Sequence, residues 1–253
     1  MPIRILDVSP NISPALREGK LAHRREVAGP GVDLDVVSLR RGPISLEATI
    51  EALQAGPGII ERVVEAEGEG LDGVLIDCFV DPALRPSREA ANIPVMGAGL
   101  GAMLLAMAVG DKFSIITVKN ALPGTREMVR AYCFQERVAS IRAVEFSAFE
   151  LYRNEGPVMD RITEIAQRAI EEDGADTIVL GCTAMSKLAR SITQRLGVPV
   201  IDPAGAGLKL LTAVIELGIS QSKRAYPNPP DRLAQMKETG LPTAEEARQA
   251  DPA

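Results

Sequence analysis

Gly70-Leu71-Asp72-Gly73-Val74-Leu75-Ile76-Asp77-Cys78 recurs as Gly174-Ala175-Asp176-Thr177-Ile178-Val179-Leu180-Gly181-Cys182. Each copy holds a Gly-x-Asp turn, a buried-type apolar run and a cysteine at the same offset. An apolar run without alternation is what a parallel strand covered on both faces requires. The correspondence continues past the cysteines. Each is followed by a segment of helical period, then by Ile93-Pro94-Val95-Met96 in one copy and Val198-Pro199-Val200-Ile201 in the other. Two copies of strand, cysteine, helix and Pro-Val strand predict two similar lobes related by an approximate two-fold axis, each ending a strand at a shared cleft. The two sulfurs then face one another.

Working outward, short runs rich in Val, Ile and Leu alternate with longer helical segments, the pattern of an α/β fold with mostly parallel sheets flanked by helices. Strands are expected at Ile3–Val8, Asp33–Ser38, Gly73–Asp77, Pro94–Met96, Phe113–Thr117, Val138–Val144, Thr177–Leu180 and Pro199–Ile201. Helices are expected between them, with Gly56-Pro57-Gly58 interrupting or beginning the one over Ser45–Gly70, and another running through Ala184–Leu196. The lobes are read as residues 1–97 plus 205–226, carrying Cys78, and 98–204, carrying Cys182. A proline-rich, polar stretch over 227–253 reads as a peripheral extension.

Composition narrows the function. The net charge of -6 arises from 34 acidic and 28 basic side chains scattered along the chain, so no basic footprint for nucleic acid exists. Neither a run of about 18 apolar residues nor a signal pattern occurs, and a cytoplasmic protein without membrane contact is expected. Cys78, Cys133 and Cys182 are an odd number spread far apart, which points to reduced thiols rather than a disulfide framework. No cysteine has a partner at zinc-site spacing, and the single His23 lies in a polar stretch, so no metal site is expected and His23 is read as solvated.

Both repeated cysteines are expected beyond the carboxyl end of a strand, where the next helix presents free N–H groups and its positive end. That placement lowers a thiol pKa from about 8.5 and makes thiolate accessible near neutral pH. Inverting a carbon stereocentre needs a base on one face and an acid on the other, and two cysteines in unlike surroundings supply both with no cofactor. The rival reading is that strand-end cysteines act as small core hydrophobes. Duplication argues against that for Cys78 and Cys182. Cys133, without a repeat mate and beside Met128, Val129 and Tyr132, is read as packing.

Ser9-Pro10-Asn11-Ile12-Ser13, Gly42-Pro43-Ile44-Ser45-Leu46-Glu47, Cys78-Phe79-Val80-Asp81-Pro82-Ala83-Leu84 and Val179-Leu180-Gly181-Cys182-Thr183-Ala184-Met185 together resemble successive motifs of the hydantoin and allantoin racemases, within the aspartate/glutamate racemase superfamily. The resemblance spans about residues 3 to 226. It implies a small-molecule substrate, a 5-substituted hydantoin or allantoin, racemised by Cys78 and Cys182 without a cofactor. It also implies substrate contacts from Asn11, Phe79, Val80, Thr117, Gly181 and Thr183. Two departures stand out: Val80 and Ala83 replace glycines usual in the hydantoin branch, and Thr183-Ala184 stands where Ala-Gly is common. These are expected to narrow the pocket mouth.

Several of these residues have structural alternatives. Asn11 suits an Asx turn before the helix at Ser13, and Thr117 suits a helix cap. Asp81-Pro82 reads as a helix start, and Asp77 is expected to point away from Cys78. Gly97-Ala98-Gly99-Leu100-Gly101 lacks the dinucleotide spacing and is read as a lobe crossover. Aspartate or glutamate racemisation, arylmalonate-type decarboxylation and maleate isomerisation remain alternatives, as does a non-catalytic protein using the thiol pair for ligand binding or redox regulation. A homo-oligomer is expected.

Overall fold

The computed structural model describes residues 2–147, 150–151 and 155–229. In chain order the elements are β1 (Ile3–Ser9), α1 (Pro14–Ala28), β2 (Val32–Ser38), α2 (Thr49–Gly68), β3 (Gly73–Ile76), α3 (Leu84–Ala90), β4 (Val95–Gly97) and α4 (Ala98–Val109). There follow β5 (Phe113–Val118), α5 (Leu122–Ala131), β6 (Val138–Val144), α6 (Glu155–Asp173), β7 (Thr177–Leu180), α7 (Ala189–Leu196), β8 (Val200–Ile201) and α8 (Pro203–Glu216). Of the expected peripheral extension, residues 230–253 lie outside the described residues.

The strands form two parallel four-stranded sheets with matching internal order, β2-β1-β3-β4 and β6-β5-β7-β8. In each sheet the chain first adds a strand on one side, then crosses to the other, so the reversal of direction falls between β1 and β3 and between β5 and β7. Such a switch point leaves a crevice at the carboxyl ends of the strands. The pairing of Val8 with Ile76 and of Ile116 with Leu180 carries the two cysteine-bearing loops out of equivalent crevices. The repeated strands are dry: Val74, Leu75, Ile76, Ile178, Val179 and Leu180 are all fully buried. Burial on both faces explains why they read as continuous apolar runs.

Two helices tie the sheets together. α4 leaves β4 of the first sheet yet packs beneath β7 and β8, while α8 leaves β8 of the second sheet and returns to β3, β4 and α1. α4 and α8 pack on each other. Their small residues permit the approach: a side chain at Gly101 would meet the backbone of Gly207 at 2.6 Å. The glycine-rich stretch is thus the crossover into α4, and its glycines serve packing.

Four expectations need correction. α2 is unbroken through Pro57, because Pro57 lies on its solvent side while Ala55, Gly58, Ile59 and Val63 are buried, and that packing outweighs the lost backbone bond. The segment after Cys182 begins as a 3-10 helix over Thr183–Leu188 before turning α-helical at Ala189. Cys133 is exposed, not packed: it ends α5 with φ 61°, in the left-handed conformation, turning its thiol outward between the partly buried Tyr132 and Phe134. His23 is not fully solvated either. Its Nε2 lies 2.8 Å from Asp202 Oδ2, and the same carboxylate caps α8 by accepting from the Ala204 N–H.

Candidate active site

Cys78 and Cys182 both line one cavity of about 320 Å³ between the sheets. The walls are mainly apolar, with Leu16, Leu46, Phe79, Val80, Val118, Ala121 and Met128 among them, and Asn11, Lys20, Glu47, Asp77, Tyr132 and Thr183 supply polar groups. The sulfurs are held alike. The Val80 backbone N–H donates to the sulfur of Cys78, and the Ala184 N–H donates to that of Cys182, two residues on in each case. Each repeat therefore folds its chain back over its own thiol.

Their surroundings then diverge. Burial pushes the Cys78 thiol up to about 12; the Val80 N–H and Lys20 oppose the rise, while negative charge on Cys182 and Asp81 adds to it. Burial also raises Cys182, against the Ala184 N–H and Lys20, with Asp77 and Glu47 adding to the rise. The expected lowering by a helix N-terminus is thus overridden by desolvation. Local structure contributes, because α3 starts only at Leu84 and Cys182 precedes a 3-10 turn.

The loop after Cys78 is anchored by Asp81, whose carboxylate accepts the Gly99 and Leu100 N–H groups at 2.8 and 2.7 Å and the Tyr132 hydroxyl at 3.0 Å. Asp81 is therefore a helix cap, as its sequence suggested, but of α4 and not of the helix that follows it. Burial pushes its carboxyl up to about 7 in spite of those donors. A side chain at Gly99 would come within 1.9 Å of the Phe79 carbonyl, so the absence of one there lets α4 abut this loop.

Beneath the thiols lies a buried charge cluster that sequence reasoning missed. Lys20 Nζ is 2.9 Å from Asp77 Oδ2 and also donates to Ser9 Oγ and to the Asp77 carbonyl. Arg24 reaches Asp77 at 3.1 Å, the Thr183 carbonyl at 3.2 Å and Asp7 at 3.5 Å. Burial disfavours the charge of Asp77, but the Arg24 and Lys20 cations hold its carboxyl down at about 2. Asp7 goes the other way: burial, with the charge of Asp77, raises its carboxyl well above the usual range despite both cations.

The family profile of the Asp/Glu/Hydantoin racemases matches residues 8–211, a span that contains both cysteine loops and every strand except most of β1. The chain belongs to this family. Hydantoin racemase of Pseudomonas sp. (strain NS671) is 32% identical over 222 residues, 87% of this chain and 89% of that one. Hydantoin racemase of Paenarthrobacter aurescens is 33% identical over 236 residues, covering 91% and 99%. Allantoin racemase from Klebsiella pneumoniae superposes with a TM-score of 0.87 at 33% identity, covering 97% of this chain and 98% of that structure. The protein is accordingly an isomerase with the racemase fold, and no helix among its described residues is long and apolar enough to cross a membrane.

Within this racemase fold the residues singled out from sequence fall into two groups. Asn11, Phe79, Val80, Gly181 and Thr183 line the cavity with the two cysteines. Asn11 also makes the Asx turn, accepting from the Ser13 N–H at 2.9 Å while its amide donates to Ser9 Oγ. Thr183 donates to the Asp77 carbonyl at 3.2 Å, joining the residue after one cysteine to the residue before the other. Thr117 is neither a cavity residue nor a helix cap. Its buried hydroxyl donates to the Gly181 carbonyl at 2.8 Å, because the parallel register sets it opposite Gly181. Of the substitutions expected to narrow the mouth, Val80, Thr183 and Ala184 line the cavity but Ala83 does not, facing α2 instead.

The missed cluster left one readable trace. Leu16, Lys20, Arg24 and Ala28 recur every four residues in α1 and are its buried face, so two basic residues sit on a stripe where apolar ones belong.

Proposed function

We propose that the protein is a cofactor-independent racemase of a 5-substituted hydantoin or allantoin-like ring, with Cys78 and Cys182 as the two proton carriers. The observation that supports this reading is that duplicated loops bring both sulfurs to one cavity of small-molecule size, in unlike electrostatic settings. A thiolate on one sulfur takes the proton from the ring carbon, becoming S–H, and the C–H electron pair passes into the adjacent carbonyl as an enolate. The thiol on the opposite face then delivers its proton to that carbon and is left as thiolate. After the product leaves, proton exchange between the sulfurs and solvent restores the starting protonation, and the opposite enantiomer is converted by the same steps with the two sulfurs exchanging roles.

Cys182 is the better candidate for the resting thiolate. The leading charged group acting on it is the Lys20 cation, whereas the leading charged group acting on Cys78 is Cys182 itself. Ionising Cys182 therefore keeps Cys78 protonated, the one-base, one-acid state the reaction needs. The largely apolar wall suits a neutral ring better than a dicarboxylate, since Lys20 is the one basic residue lining the cavity among the described residues and is already paired with Asp77.

In D₂O, an enantiopure L-5-substituted hydantoin should lose its optical rotation and gain one deuterium at the ring carbon. Cys78→Ser and Cys182→Ser should each slow racemisation by at least about 10²-fold, the usual scale for a lost acid or base. Full activity in either variant sinks the two-thiol assignment.

A further inference from the structure

We propose that Gly124 on α5 sets the size of ring substituent the cavity admits: having no side chain, it leaves a gap toward Thr49 of α2 and Val80 of the loop after Cys78 that suits a bulky apolar group. This rests on the hydantoin-like ring proposed above and deepens it by naming the class of 5-substituent, benzyl or branched alkyl in preference to methyl.

Glycine is the poorest helix former apart from proline, so one inside a helix calls for a reason. Two reasons recur in this molecule. Positive φ explains Gly174 and Gly197, at 72° each, and close approach explains Gly99 and Gly101, where a side chain would fall within 1.9 and 2.6 Å of neighbouring backbone. Neither applies to Gly124. It is the third residue of α5 and its φ is not positive. A Cβ there would meet Thr49 Oγ1 at 3.7 Å and Val80 Cγ1 at 3.8 Å, ordinary van der Waals distances, so the helix and its packing would accept alanine. What the missing side chain leaves open is cavity, since Gly124, Thr49 and Val80 all line it.

That space lies between the two halves. α5 packs on β5 and β6 of the second sheet, whereas α2 packs on β1 and β3 of the first and Val80 follows β3. Gly124, Glu127, Met128 and Ala131 recur at i, i+3, i+4 and i+7, so one face of α5 forms the cavity wall. The cavity is graded from inside outward. At its floor Asn11, Lys20, Asp77 and Thr183 are buried and bonded to one another or through Ser9. Its rim is exposed at Thr49, Glu127 and Ala131, and Gly124 is half-buried. A ring whose chiral carbon sits between the sulfurs matches its carbonyl and N–H edges to the polar floor, and its substituent then runs toward the rim, past Gly124.

The test compares two substrates that differ in that group. Gly124→Val should lower the ratio of kcat/KM for 5-benzylhydantoin to that for 5-methylhydantoin at least about tenfold, the scale of a misfit of one methylene in an apolar pocket. Gly124→Ala should lower it less and should hold or raise the thermal midpoint, because a methyl fits and alanine favours helix. An unchanged ratio in Gly124→Val, as general damage to the site would give, or a lowered midpoint in Gly124→Ala, overturns the proposal. A second arm needs no turnover. Gly124→Val should slow alkylation of Cys78 and Cys182 by N-benzyl iodoacetamide more than by iodoacetamide, resolved by peptide mass spectrometry, with the exposed Cys133 keeping its ratio. Should the wild type racemise no hydantoin, the ring reading fails while this second ratio still decides: a fall keeps Gly124 as the residue that sets the opening, and no change removes it from that role.

Discussion

The loops after Cys78 and Cys182 descend from the same pattern, and they differ in nearly everything the pattern leaves open. Both fold an N–H from two residues ahead onto their sulfur. The first then runs through two non-glycine residues of positive φ, Asp81 at 47° and Ala83 at 55°, before a seven-residue helix. The second tightens at once into a 3-10 helix, with the Thr183 carbonyl and hydroxyl drawn to Arg24 and to the Asp77 carbonyl. Cys78 sits near the Asp81 carboxylate and Cys182 near a buried lysine. Duplication supplies two equivalent positions for sulfur, and what each half packs against gives them different electrostatic surroundings.

The largest expected effect tests that inequality directly. Cys78→Ser leaves Cys182 with its lysine, and should still exchange the ring proton of one hydantoin enantiomer in D₂O. Cys182→Ser leaves a thiol that burial still holds above its ordinary pKa, with Asp81 beside it, and should exchange at least about tenfold more slowly at pH 8. Deuterium incorporation followed by NMR for each enantiomer decides it, and equal residual rates in the two variants would make the environments equivalent.

A smaller effect concerns Asp81, which has no counterpart in the Cys182 loop. Its folded carboxyl titrates near 7 against an ordinary 3.8. Between those values the folded protein keeps a proton that the unfolded chain has released, so this group lowers stability as pH rises from about 4 to about 7. Asp81→Asn should flatten that part of a urea-midpoint profile against pH and speed alkylation of Cys78 more than that of Cys182. An unaltered profile would mean the carboxylate is ionised throughout.

The smallest effect is strain. Ala83 occupies the left-handed region, which costs a residue with a Cβ roughly 1 kcal/mol. Ala83→Gly should therefore hold or slightly raise the thermal midpoint, whereas glycine at the aligned non-strained position of the other loop should lower it by about as much.

Much of the fold was legible because its signals are local. Val74-Leu75-Ile76 and Ile178-Val179-Leu180 must be doubly covered strands, and spacings to Pro94-Val95 and Pro199-Val200 that differ by a single residue expose the duplication without coordinates. Misreadings arose where a residue's partner is remote. His23 meets Asp202, 179 positions away, and Asp81 caps a helix that begins 17 residues later. Pro57 looked like a break because local propensity opposes helix, yet the buried face of α2 prevails. The basic pair in α1 was overlooked because each residue, taken singly, looks like surface charge.

From its residues alone the chain specifies two parallel α/β halves, each carrying a cysteine at the end of a buried strand, since periodicity and turn chemistry act over a few residues. Tertiary structure alone decides how those sulfurs differ. Their ionisation depends on desolvation and on charges brought in by α1 and by the opposite half, and such fields act through space, not along the chain.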